Sequence, residues 1–248
     1  LKLQINCLLS SRELCEKASE SWLQGLQAEP RARRVYTVAL SGGRVAAEFF
    51  SALCRCHTQG LCIPEGVHFF WADERCVPPD DAESNFRVAK DQLFAPLQIP
   101  SERIHRILGE LDPELAAEQA ETELKKVATR STPEGIPILD MVFLGMGEDG
   151  HTASLFPGAH IQKHEDGNAE VCGTQAGAYI AVVGPKPPPR RVSLTYESLR
   201  SAAEVWALVS GRGKASTLAR VLAGEGAEPM GRVLKERAET VIWTDSFF

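Results

Sequence analysis

The sequence predicts a three-layer α/β/α fold built on a largely parallel sheet, and three observations predict it. Short apolar runs begin near residues 35, 67, 139, 179, 204 and 240 and alternate with helical patterns, the order that places parallel strands between helical layers. The run Met141-Val142-Phe143-Leu144 is continuous rather than alternating and is followed by glycine, which suits a strand buried on both faces. Several runs also end in loops rich in glycine and charge, the position at which open parallel sheets hold their ligands.

Taken in order, Ser10-Ser11-Arg12-Glu13 forms a capping box ahead of a helix with Leu14, Ala18, Trp22 and Leu26 on one face, ended by Pro30. The β-branched run Val35 to Leu40 feeds Ser41-Gly42-Gly43 and then a helix from about Arg44 to Cys56. A strand, a glycine turn and a helix start gather free amides at the positive end of a helix dipole, so this is an anion site as well as a tight turn. Val67 to Trp71 is the second strand, and it delivers Asp73, Glu74 and Arg75, either a structural ion pair or a functional one. Phe86 to Phe94 reads as a helix, and Asp112-Pro113 opens another through Val127 with Leu115, Leu124 and Val127 inward. Ser131 to Pro137 is a connection too short to separate domains. Residues 158–177 have no period, and a surface loop explains His160 and His164 better than a ligand set does. After the strand Tyr179 to Val183, three prolines hold the chain extended ahead of Arg190 and Arg191. Glu204 to Ser210, a helix opened by Gly211-Arg212-Gly213-Lys214 and reaching about Leu222, and Thr240 to Thr244 complete the pattern.

At 248 residues, 44% hydrophobic and 24% charged, the chain suits one α/β domain spanning 1–248. It contains no apolar run of about eighteen residues and no charged-then-apolar leader, so neither a membrane span nor a signal peptide is expected. A formal charge of −6 argues against nucleic acid or a membrane surface as partner; an anionic small molecule would need a local cationic pocket. Seven cysteines fit reduced thiols and a cytoplasmic location better than a disulfide framework, and the expected state is a monomer or weak homo-oligomer. Cys54, Cys56, His57 and Cys62 match no zinc spacing, so no metal is expected.

The stretch Leu139 to Pro157 organises the rest. Gly145 to Gly150 satisfies G-x-G-x-x-G literally, yet Pro157 and Gly158 cut short the helix that a dinucleotide site needs, and no strand precedes Glu165-Asp166. Gly211 to Lys214 is not a Walker loop, because position 208 is leucine where the first glycine belongs.

Asp149 to Pro157 reads DGHTASLFP and resembles the signature of 6-phosphogluconolactonases. Further ordered matches accompany it. Leu40 to Gly43 resembles the family's LSGG, Asp73 to Pro78 its DERxVP, and Glu83 to Phe86 its ESNY. Lys186 to Thr195 resembles KPPPxRVTLT and points to Arg191 as the matching arginine, while Gly211 to Lys214 resembles a phosphate-binding G-x-x-K. The family usually continues LSGG with Ser or Thr and then Pro; here Arg44-Val45-Ala46 removes a hydroxyl and adds a cation. The resemblance implies a Rossmann-like, glucosamine-6-phosphate deaminase-like fold. It also implies hydrolysis of a sugar-phosphate lactone, 6-phosphoglucono-δ-lactone, to 6-phosphogluconate in the oxidative pentose phosphate pathway, without a cofactor.

Opening a lactone needs a base for water, donors for the developing oxyanion and cations for the phosphate. His151 is the expected base, since imidazole is in good part unprotonated near neutrality. Asp149 orients it if Gly150 bends the loop, with Asp73 as the rival partner. Arg75 is expected at the oxyanion, and Ser41, Gly42, Gly43, Arg44, Arg191 and Lys214 at the phosphate. Two alternatives stay open: an aldose-ketose deaminase on the same fold, although Thr152 to Pro157 lacks the Asn-Glu pair that usually follows the loop histidine there, and a sugar-phosphate sensor without turnover.

Overall fold

The computed structural model describes residues 2–28, 35–158, 162–163, 169–170 and 177–246. A six-stranded, all-parallel sheet runs β1 (Lys2–Cys7), β11 (Glu239–Thr244), β10 (Glu204–Val209), β5 (Met141–Gly145), β2 (Tyr36–Leu40), β3 (Val67–Trp71) in spatial order. Every residue of β2 is buried, as the uninterrupted apolar run requires. The chain leaves β2 through α2 (Arg44–Thr58) to β3 on one side and later returns to β5 on the other. That reversal opens a crevice at the carboxyl ends of β2 and β5.

Helices flank the sheet. In α1 (Ser11–Gln27) the Ser10 hydroxyl accepts from the Glu13 amide at 3.2 Å, and the Glu13 carboxylate accepts from the Leu9 amide at 3.0 Å, close to the predicted capping box. The inner faces of α1 and α2 meet the sheet through Trp22, whose ring meets Phe49 at 6.4 Å and Phe143 edge-on at 5.1 Å. In α4 (Pro113–Val127) Asp112 caps the first turn. Its buried face is Pro113, Ala116, Ala117, Ala120 and Leu124; Leu115 falls beside that stripe and is 43% exposed, against the expectation that it points inward.

Further elements depart from the sequence reading. The strand β8 (Tyr179–Val183) lies outside the parallel sheet, in an antiparallel one ordered β4 (Asp73–Arg75), β9 (Arg190–Leu194), β8. The physical reason is the short link: Val183 pairs with Arg190 and the Gly184 amide donates to Pro189 O at 2.7 Å, so the chain turns back as a hairpin, whereas a parallel crossover needs a dozen residues or more. The helix expected over 86–94 is α3 (Asn85–Ala89) followed by a wider turn, Lys90–Phe94, in which the Ala95 amide reaches back to Lys90 O. Lastly β1, α5 (Tyr196–Ser201) and α7 (Pro229–Glu236) are additional to the predicted set, as is the short pair β6 (Gln162–Lys163) and β7 (Ala169–Glu170). His160 and His164 lie outside the described residues. Among the described residues no helix is long and apolar enough to cross a membrane.

Candidate active site

A cleft of about 730 Å³ opens over the carboxyl ends of β2, β5 and β10. Its lining includes Ser41, Gly42, Gly43, Arg44, Asp73, Arg75, His151, Arg191 and Lys214, so apart from Asp149 every predicted site residue faces it, and Asp149 stands directly behind His151.

The loop after β5 creates the histidine site. Gly150 takes φ +79°, the Gly150 amide donates to Gly147 O at 3.0 Å, and the Gly147 amide donates to His151 O at 2.9 Å. This tight bend brings side chains two residues apart into contact. The Asp149 carboxylate accepts from His151 Nδ1 and from the His151 amide, leaving Nε2 as the ring nitrogen with no protein partner among the described residues. Partial burial works to raise the Asp149 carboxyl, but the hydrogen bond and charge of His151, helped by Lys186 at 3.9 Å, outweigh it and the net shift is downward. Phe156 packs against the imidazole at 4.8 Å.

Asp73, the rival partner, is engaged elsewhere. Its carboxylate accepts from the Ser154 hydroxyl at 2.6 Å, and its backbone carbonyl accepts from Asn85 Nδ2 at 2.9 Å. The structural carboxylate at this strand end is Glu74, whose buried side chain accepts from the amides of Arg75, Asn85 and Phe86 and from the Ser84 hydroxyl. Burial pushes the Glu74 carboxyl up despite those donors.

The cations stand in two pairs. Arg75 and Arg191 are register partners across β4 and β9. Arg75 donates to Glu83 O at 2.6 Å and lies 3.6 Å from the Glu83 carboxylate, while its Nε is buried without a protein partner. Arg191 is fixed by Pro188 O at 3.0 Å and Lys186 O at 3.2 Å, with Phe156 under its guanidinium at 5.5 Å; burial and then the charge of Arg75 lower its pKa. The second pair is Arg44, at the first position of α2, and Lys214, which precedes α6 (Ala215–Ala223). Both line the cleft, and burial, then the Arg44 charge, lowers the Lys214 pKa.

Between them runs the Ser41-Gly42-Gly43 turn. Gly43 has φ +88°, which favours glycine, and no side chain caps the first turn of α2, so its leading amides remain available to an anion. Ser41 departs from expectation in one respect: its hydroxyl donates to Phe143 O at 2.8 Å and ties the turn to β5, which leaves its amide rather than its hydroxyl proton for a ligand.

Cleft residues left unassigned in the sequence reading include Asn85, Lys186 and Glu148. Asn85 and Lys186 sit inside the quoted motifs, but an amide or a lysine in a proline-rich loop has no distinctive signal until its neighbours are known. Among the described residues no group of three or more His, Cys, Asp or Glu is arranged to hold a metal ion. Cys54 instead donates to Gln92 O, and Cys56 is buried in α2.

Comparisons with known proteins bear on the family and the fold. The family model for glucosamine-6-phosphate isomerases/6-phosphogluconolactonase matches residues 9–243. The chain is 36% identical over 191 residues to the 6-phosphogluconolactonase of Treponema pallidum, covering 77% of this chain and 74% of that one. It is 38% identical to a probable chloroplastic 6-phosphogluconolactonase of rice, of which it spans 55% against 75% of its own length. Among solved structures, the 6-phosphogluconolactonase of Thermotoga maritima superposes with a TM-score of 0.78 at 27% identity, over 98% of this chain and 99% of that one.

Proposed function

Because the chain belongs to the glucosamine-6-phosphate isomerase/6-phosphogluconolactonase family, we propose that it hydrolyses 6-phosphoglucono-δ-lactone to 6-phosphogluconate in the oxidative pentose phosphate pathway, as one domain over 1–248. The observation that carries this reading is the contact of Asp149 with His151 Nδ1 at the wall of a cleft lined by cations. The Asp149 carboxylate accepts a hydrogen bond from His151 Nδ1–H, so the single N–H proton of the neutral imidazole stays on Nδ1 and the free lone pair is on Nε2.

From there the chemistry follows. Nε2 accepts a proton from water as the water oxygen attacks the lactone carbonyl carbon. The carbonyl oxygen gains charge and is met by the Arg75 guanidinium, which lines the cleft. The tetrahedral adduct collapses, the bond from carbonyl carbon to ring oxygen breaks, and the ring oxygen leaves with the proton from Nε2 as the sugar hydroxyl. Arg44, Lys214, Arg191 and the Ser41 to Gly43 amides hold the phosphate, which anchors the ring and converts binding energy into orientation. No step calls for a metal or redox cofactor.

The family name covers isomerases as well, so the test must separate activities. Freshly prepared lactone is supplied with an excess of 6-phosphogluconate dehydrogenase and NADP, and NADPH formation is followed above the spontaneous rate. A clear excess is the expected result. Turnover of glucosamine 6-phosphate without lactone hydrolysis would transfer the reading to a deaminase, and binding of 6-phosphogluconate without either turnover would make the chain a sensor.

A further inference from the structure

The His151–Asp149 contact depends on a bend that the loop does not hold alone. The backbone on either side of Asp149 is gripped from outside. The Thr217 hydroxyl of α6 donates to Glu148 O at 2.6 Å, and the Met230 amide, in the first turn of α7, donates to Gly150 O at 3.0 Å. Thr217 is 4% exposed and Met230 1% exposed, so both donors are held in the protein interior. The grip is also steric: a β-carbon at Gly150 would meet Glu228 Cγ at 2.5 Å and Thr217 Cγ2 at 3.3 Å.

We propose that Thr217 is a positioning residue for the reaction: by fixing Glu148 O it holds the bend that keeps Asp149 on His151 Nδ1. The inference rests on the lactonase reading for its catalytic consequence, though not for its geometry. Thr217 touches neither His151 nor any lining group's reactive end; it acts through the carbonyl that precedes Asp149. It sits one helical turn beyond Lys214, so α6 carries a phosphate-facing lysine at its start and the loop's anchor within its first turn. A single rigid element thus relates the anion end of the cleft to the base. Such spacing matters because a displacement of about 1 Å at a catalytic group costs on the order of 10²-fold in rate.

The test uses Thr217→Val, which keeps size and removes the donor, with Thr217→Ala as a second donor-free variant in case valine disturbs folding, and Thr217→Ser as the donor-retaining control. Two readouts are taken: kcat and KM with the lactone, and the Asp149 carboxyl titration by ¹³C NMR in the absence of substrate. Asp149 is held low by His151, with Lys186 as the other facing cation. The expected result is a kcat about 10-fold or more lower in the donor-free variants with KM within about twofold, an Asp149 titration moved upward toward the ordinary carboxyl range, and both restored in Thr217→Ser. A folded donor-free variant whose Asp149 titrates as in the wild type overturns the proposal, as does a loss that serine fails to restore. If the wild-type protein lacks lactonase activity, the functional reading falls, and the Asp149 titration alone decides whether Thr217 sets the loop.

Discussion

His151 and Asp149 touch because Gly150 turns the chain back on itself, and the value of that contact is in fixing which ring nitrogen is free. His151→Ala is therefore expected to lower kcat by about 10² or more while leaving KM nearly unchanged, since the imidazole acts on water rather than on ground-state binding. Near-normal turnover of a folded variant would remove His151 from the role of base. The cations make a different prediction. Lys214→Ala and Arg191→Ala should raise KM for the phosphorylated lactone and lose much of that effect on a lactone without phosphate; an equal factor on both substrates would show that the side chain does not read phosphate. These residue types were legible in the sequence because glycine, histidine and charge cluster where apolar runs stop. What was not legible was which carboxylate serves the histidine. Asp149 could serve only if Gly150 bent the loop, with Asp73 as the rival, and the Gly150 bend and the Ser154 hydroxyl at 2.6 Å from Asp73 separate them.

At the scale of elements, the start of α2 combines a glycine turn, an uncapped first turn and a cation. Arg44 opposes the helix dipole, by about 0.3–1 kcal/mol, and also faces Lys214. Without an anion the arrangement is therefore mildly unfavourable. Arg44→Ser should leave the ligand-free protein as stable or slightly more stable in a thermal melt, while Arg44→Ala should raise KM for the phosphorylated lactone. Unchanged KM would mean that the loop amides, Lys214 and Arg191 suffice. Gly42 tests the other side of the turn: a β-carbon there would run into the Asn85 side-chain amide, which is tied to Asp73 O. Gly42→Ala should then cost about 1–3 kcal/mol, whereas Gly145→Ala, with open space at its β-carbon, should change stability by about 0.5 kcal/mol or less. Most elements were legible because buried parallel strands are continuous apolar runs. The errors have physical causes: β1 is an edge strand with every position exposed or half-exposed, so it shows no buried alternation, and the strand character of β8 said nothing about direction, which the short link to β9 decided.

The whole molecule carries 33 acidic and 27 basic side chains, so its response to acid is set by how the fold treats its carboxyls. Six among the described residues are shifted downward: Glu110 by its Arg106 hydrogen bond, Glu123 by its Lys126 hydrogen bond, Glu228 by its Arg220 hydrogen bond, Asp112 and Glu134 by hydrogen bonds within their own turns, and Asp149, where His151 and Lys186 prevail over burial. A carboxyl depressed in the folded state binds fewer protons there than in the unfolded chain. Its contribution is present above the unfolded pKa, about 3.9 for Asp and 4.3 for Glu, and is lost as pH falls through the folded value. Glu74 works in the opposite direction. Burial raises it, so its contribution is full below the unfolded pKa and is lost as pH rises through its folded value. Six depressed carboxyls against one raised carboxyl give a net slope of falling stability with acid. Tm is accordingly expected to drop between about pH 5 and pH 3, and Glu110→Gln, which removes one depressed carboxyl beside Arg106, should flatten that drop. The measurement is a set of thermal melts of both proteins across that range at fixed ionic strength. A wild-type Tm that stays level from pH 5 to pH 3, or an equal slope in Glu110→Gln, would show that the Arg106 pair does not hold the Glu110 carboxyl down in solution.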